Sequence, residues 1–214
     1  MSLQNYGDLQ ENTMYLDVLR EIGNIGSGNA ASALSSMLSR FINIQVPKIN
    51  IMDYNQVAEN FGGPETLMVG LLLCLSGDVN GMMMFLMQEE FAHVTINSLL
   101  GSDLEDMSQM GEMEESAMKE VGNIMAASYI NAIATLTNLK INITVPDICT
   151  DMVGALLSVP AIHYANISDQ MIFIENQIDT EAEDEGGQHT GSHVLMIPDV
   201  ESLNKIMASL GIAL

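Results

Sequence analysis

DVLREIGNIGSGNAASALSSMLSRFINIQVP, residues 17–47, recurs as SAMKEVGNIMAASYINAIATLTNLKINITVP, residues 116–146, and this pair decides the fold. The two stretches align without a gap at an offset of 99 residues. Glu21/Glu120, Gly23/Gly122, Asn24/Asn123, Ile25/Ile124, Ala33/Ala132, Ile42/Ile141 and Pro47/Pro146 are identical across the alignment. Self-similarity at a fixed offset means that one structural unit occurs twice in the chain.

Each copy opens on a long helix. Leu16, Leu19, Ile22, Ala30, Ala33, Leu34, Met37 and Leu38 recur at helical spacing in the first, and Met118, Val121, Met125, Ile130, Ile133 and Leu136 in the second. Alternating strand segments follow at 41–52 and 139–149. In copy one come a short segment at 55–61, a turn at Gly62-Gly63-Pro64, and a hairpin of strands 66–75 and 81–88 joined through residues 77–80. A helix at 91–100 and an acidic connector at 101–113 lead into copy two. There the same plan predicts a short helix or turn at 152–157, strands at 162–175 and 193–197, and an exposed hairpin loop at 179–191. A closing helix at 198–210 has Pro198 in its first turn and Gly211 at its end.

The expected fold class is α/β or α+β. Two helix-plus-three-strand units, residues 13–101 and 112–214, are related by a pseudo-two-fold axis within one domain. Exposed sheet edges are a liability, so the half-sheets are expected to join into one continuous, mainly antiparallel sheet of about six strands covered by the long helices.

Six Lys+Arg against 28 Asp+Glu give a formal net charge of -22. Such a surface repels phosphate backbones and anionic lipid, which argues against nucleic-acid binding and membrane insertion and favours a partner with a basic patch. Apolar runs are too short to span a bilayer, and residues 1–12 lack the pattern of a secretory signal. The expectation is a soluble, cytoplasmic protein. Cys74 and Cys149 sit in apolar runs and read as buried core thiols.

Each residue of a helix advances by about 100°, so Asp17, Glu21 and Asn24 fall within an arc of roughly 60°. Ser116, Glu120 and Asn123 occupy the same places in copy two. A Glu and an Asn three apart usually form only a solvated face; the same pair in both copies, each with 22 residues between Asn and Pro, is more specific. Asp17-Glu21-Asn24-Pro47 and Ser116-Glu120-Asn123-Pro146 resemble the signature of the CheC/CheX/FliY phosphatases of bacterial chemotaxis. Two copies with nothing appended are similar to CheC rather than to CheX, with its single working copy, or to FliY, with its added switch module.

The resemblance implies a phosphatase that hydrolyses the aspartyl phosphate of a CheY-like response regulator. Asn24 and Asn123 would orient the attacking water, and Glu21 and Glu120 would dock the regulator. Asp17, Ser116, Pro47 and Pro146 would support the site or contact the partner. No cofactor of its own is implied, because the regulator supplies Mg²⁺. The resemblance also implies a second partner, a CheD-type receptor deamidase, and hence an alternative role as a non-catalytic adaptor binding CheD and phosphorylated CheY.

Other features carry less. Gly23-Asn24-Ile25-Gly26-Ser27-Gly28 lies inside a helical period rather than after a strand, so it is no phosphate loop, and Gly26 and Gly28 read as small residues for helix packing. His189 and His193 flank Thr190-Gly191-Ser192 in a loop with no Cys or third His near, so no metal site is expected. Eighteen methionines read as adaptable core filling.

Overall fold

Helix α1 (Thr13–Leu38) and helix α4 (Glu112–Thr137) are 26 residues each in the computed structural model, which describes residues 13–45, 47–102, 104, 107–164, 170–180 and 191–212. Tyr15, Leu19, Ile22, Ala30, Leu34 and Leu38 form the buried stripe of α1. Both helices stop at matched positions in left-handed backbone, Ser39 (φ 51°) and Asn138 (φ 59°), which ends the ladder and turns the chain toward the sheet. At the start of α4 the Gly111 N–H donates to Glu114 Oε2 (3.1 Å), and Glu112, Glu114 and Glu115 complement the helix dipole.

The remaining elements are β1 (Ile42–Ile44), β2 (Lys48–Asp53), α2 (Tyr54–Asn60), β3 (Leu67–Gly77), β4 (Gly81–Met87), α3 (Glu89–Leu100), β5 (Ile141–Ile143), β6 (Asp147–Met152), α5 (Val153–Tyr164), β7 (Gln170–Thr180), β8 (Gly191–Pro198) and α6 (Val200–Ser209). They form one antiparallel sheet in the order β1-β7-β8-β4-β3-β5, with β2 continuing the edge along β7 and β6 along β3. The expected six strand positions are therefore filled by eight strands, because Pro47 and Pro146 lie outside the strands and separate β1 from β2 and β5 from β6. The edge of each repeat pairs with the hairpin of the other: β1 and β2 with β7, β5 and β6 with β3. The central pair β4–β8 runs from Gly81↔Pro198 to Met87↔Ser192, and the matching registers of the flanking pairs put the pseudo-two-fold axis at Phe85↔Val194.

The sheet is covered on both faces, which is why β4 (GMMMFLM) is buried at every residue. On one face α1, α4, α3 and α6 enclose a core around Leu19, Ile22, Phe85, Phe91, Met118, Tyr129 and Ile206. On the other, α2 and α5 cover Met68, Met84, Leu86, Phe173 and Leu195. Methionines fill both cores, as expected from their number. Where α1 meets α4, a Cβ on Gly26 would lie 2.5 Å from the Tyr129 ring, and the Tyr129 hydroxyl is hydrogen-bonded to Ser27 Oγ at 2.8 Å.

Several expectations are corrected. Residues 162–164 belong to the last turn of α5, not to a strand; the alternation Ile-His-Tyr and the nearby Pro160, which α5 accommodates in its interior, disguise the helix. Pro198 ends β8, and Asp199 caps α6 by accepting from the Ser202 N–H at 2.6 Å. Asp179 and Thr180 lie in β7 and Gly191 in β8; the rest of the expected loop, 181–190, lies outside the described residues. Cys74 and Cys149 are exposed, since both project on the α2/α5 face beyond the cover of those short helices. Gly28 packs against nothing.

His193 is on β8, within the strand expected at 193–197; His189 is outside the described residues. The His193 ring stacks on Phe173 (5.6 Å) and meets the edge of Phe61 (4.7 Å), and its Nδ1 is buried without a hydrogen-bond partner. Burial lowers its pKa to about 4 from 6.5, against the opposing pull of Glu175 across the β7–β8 pair. The folded state therefore binds the proton more weakly than the unfolded chain. The stability this represents is complete above pH 6.5 and is lost as pH falls toward 4. Between pH 7.5 and 5 the wild type is expected to lose about 2 kcal/mol more than His193→Phe. Chemical denaturation of both chains at the two pH values checks this; parallel losses would refute it.

Candidate functional site

The helical stripe opposite the buried face of α1 carries Asp17, Glu21 and Asn24, all exposed. On α4 Ser116 and Glu120 are exposed and Asn123 is half-buried. Leu19, Ile22, Met118 and Val121, interleaved with them, are fully buried, while Ile25 and Ile124 are only half-buried rather than turned fully inward. The sheet-facing side chains thus fix the rotation of each helix and leave the carboxylate and carboxamide outward.

Asp17 accepts a 2.7 Å ion pair from Arg20, an exposed contact that contributes little stability. In copy two the corresponding basic residue, Lys119, reaches Glu115 instead (3.5 Å), and Ser116 stands where Asp17 does. Among the described residues Glu21, Asn24, Glu120 and Asn123 make no side-chain hydrogen bond or ion pair, so each keeps its full capacity for a partner.

Pro47 and Pro146 are not on this ridge. Both are buried behind it, where the edge strands break. A Cβ on Gly23 would come within 3.2 Å of Pro47 Cγ and 2.9 Å of Ile49 Cδ1; one on Gly122, within 3.3 Å of Pro146 Cγ and 3.0 Å of Leu71 Cδ1. Each proline ring therefore seats the helix backbone at the residue just before the asparagine. Gly23 and Gly122 are site-supporting residues that were visible in the sequence only as identities across the repeat. Their reason is a contact 24 residues down the chain.

The site is a ridge rather than a pocket. A cavity of about 430 Å³ beside α3, lined by Arg40, His93 and Asn97, includes none of these residues. Among the described residues no group of three or more His, Cys, Asp or Glu side chains is placed to hold a metal ion. No helix among the described residues is long and apolar enough to cross a membrane.

The sequence pattern of the CheC-like family matches residues 14–51 and 113–149, one match per ridge-bearing helix and its edge strands. The chain is 34% identical over 201 residues to the CheY-P phosphatase CheC of Bacillus subtilis, covering 93% of this chain and 95% of that protein. This chain belongs to the CheC family. Within the wider CheC-like group it is 27% identical over 140 residues to the flagellar motor switch phosphatase FliY of Bacillus subtilis, of which the match covers 36%. Thermotoga maritima FliY has the same fold, with a TM-score of 0.68 at 21% identity over 91% of this chain and 94% of that one. The middle domain of Helicobacter pylori FliM also shares it, with a TM-score of 0.61 at 14% identity over 91% of this chain and 97% of that one. At those identities the likeness concerns architecture alone.

Proposed function

We propose that this CheC-family chain is a phosphatase that hydrolyses the aspartyl phosphate of a CheY-like response regulator in the cytoplasm, as one domain of two repeats, 13–101 and 112–214. The observation that carries the reading is the pair of outward ridges, each presenting an unpaired Glu and Asn three residues apart. The water oxygen attacks phosphorus, the bond between phosphorus and the aspartyl oxygen breaks, and inorganic phosphate and a free aspartate carboxylate result. Asn24 and Asn123 accept a hydrogen bond from the water and aim it in line, while Glu21 and Glu120 bind a cation of the regulator. A carboxamide orients water without adding charge beside the phosphoryl oxygens. Asp17 and Ser116 extend the ridge, and Pro47 and Pro146 support it from behind. The chain brings no cofactor; Mg²⁺ belongs to the regulator. The test is phosphate release from a phosphorylated CheY-like regulator by the wild type and by Asn24→Ala/Asn123→Ala. An undiminished rate in the double variant would overturn the assignment.

A second reading, binding of a CheD-type deamidase, is favoured by α5. Ala155, Val159 and Ile162 are all exposed at helical spacing on its outer side, with Val159 at 47% and Ile162 at 77% exposure, and exposed Met152 at the end of β6 and Leu67 beside it across β3–β6 extend the patch. The matching helix of copy one, α2, turns Asn55, Gln56, Glu59 and Asn60 to solvent instead. A contiguous apolar stripe present in one repeat and absent from the other marks a protein-binding surface, on the sheet face opposite the ridges. Val159→Asp/Ile162→Asp is expected to abolish capture of a purified CheD-type deamidase while shifting the melting temperature by less than about 2 °C, since both side chains already face water. Retained capture would dismiss α5 as the surface.

A further inference from the structure

Gly28 has no reason for being glycine within the chain. It is exposed, midway along α1, in helical backbone, and a Cβ built on it meets no described atom within 4 Å. The other two glycines of the helix are accounted for, Gly23 by Pro47 and Ile49, and Gly26 by the Tyr129 ring. Helix α4 carries Ala127 at the matched position, so the fold itself does not demand glycine there. Glycine is the poorest helix former after proline, costing about 1 kcal/mol against alanine inside a helix, and no contact within the chain offsets that cost at Gly28.

Its place on the helix supplies that cause. Residue 28 follows Asp17 by about three turns and falls inside the roughly 60° arc bounded by Glu21 and Asn24. It is the next exposed position of the ridge beyond Asn24. We infer that Gly28 is a docking position of the copy-one ridge, where the regulator's surface approaches the helix backbone more closely than a methyl group permits. The inference rests on the Glu/Asn reading and adds that the two ridges are not interchangeable: the first admits a closer seat than the second. The reach of the Asn24 carboxamide depends on that separation, and misplacing a reacting group by about 1 Å is enough to cost orders of magnitude in rate.

The test uses the full chain and a phosphorylated CheY-like regulator, with one ridge silenced at a time. In an Asn123→Ala background, Gly28→Ala is expected to raise KM for the regulator at least about fivefold, while raising the melting temperature by about 2–4 °C because a helix glycine has been removed. In an Asn24→Ala background, Ala127→Gly is expected to lower KM at least about twofold although it lowers the melting temperature. Binding and stability thus move in opposite directions, which a purely structural role would not produce. An unchanged KM for Gly28→Ala, or no activity at all in the Asn123→Ala background, overturns the inference. Activity that survives Asn24→Ala/Asn123→Ala overturns the Glu/Asn reading beneath it, and shows this without any change at Gly28.

Discussion

Asn24→Ala/Asn123→Ala is expected to lower regulator dephosphorylation at least about 10²-fold, to near the regulator's own rate of hydrolysis. The loss corresponds to about 3 kcal/mol of transition-state stabilisation at about 1.4 kcal/mol per decade. It is large because the carboxamide can accept from water while staying uncharged beside a phosphoryl anion; alanine leaves the water to orient itself. Asn24→Asp/Asn123→Asp keeps the shape but adds two charges, and is expected to fail as badly as alanine. The fold is not at risk, since Asn24 is exposed, Asn123 is half-buried, and neither side chain holds a hydrogen bond among the described residues. Multiple-turnover phosphate release, with the regulator's own rate subtracted, measures the effect. Each single variant is expected to keep the activity of its surviving ridge, so the singles apportion the rate between α1 and α4. A double variant within a few-fold of wild type would remove the asparagines from the mechanism.

Gly26→Leu is expected to be the most damaging single substitution in the helix pair, costing more than about 4 kcal/mol. A Cβ at position 26 would stand 2.5 Å from Cδ1 and 2.9 Å from both Cγ and Cε1 of Tyr129. That ring is fully buried, lies 6.5 Å from the Phe85 ring between centroids, and is tethered through its hydroxyl to Ser27, so it has nowhere to move. Gly26→Ala sets two effects against each other: a helix gain of about 1 kcal/mol and an overpacking cost of about 3 kcal/mol, for a net loss of about 2 kcal/mol. Tyr129→Ala alone is expected to cost about 3–5 kcal/mol through its cavity. In Gly26→Ala/Tyr129→Ala the methyl occupies space the ring has vacated and the overpacking cost disappears, so the double should be milder than the sum by about 3 kcal/mol. Chemical denaturation of the four chains reads the cycle, and additive losses would show that the ring yields. The contrast with Gly28, in the same helix, is instructive: alanine is expected to stabilise there and to destabilise here.

The local patterns were legible because they depend on near neighbours. The apolar stripe of Leu19, Ile22, Ala30 and Leu34 gives α1, and its repeat gives α4. The Gly-Asp-Val-Asn turn joins β3 to β4, where Gly77 takes φ +105° beside the Lys140 carbonyl, a position at which a Cβ would stand 2.6 Å away. The arc shared by Asp17, Glu21 and Asn24 follows from helical geometry alone, and the exposure of all three agrees with it. Where local patterns misled, the deciding contact was distant. His193 follows the polar run Thr190-Gly191-Ser192, yet Phe61 and Phe173 bury its ring; Cys74 and Cys149 sit among apolar residues, yet no helix covers them.

The amino-acid order by itself determined that one unit occurs twice, that each unit begins with a helix bearing an outward Glu and Asn, and that strands follow. Tertiary structure alone decided that each repeat lends its edge strand to the other's hairpin, that Pro47 and Pro146 lie behind the ridges against Gly23 and Gly122, and that Gly26 is packed while Gly28 is bare. Side-chain periodicity shows which way a residue faces along its own helix or strand. What stands opposite it is set by pairings such as Ile42↔Thr180, between residues far apart in the chain that meet only when the two halves close on each other.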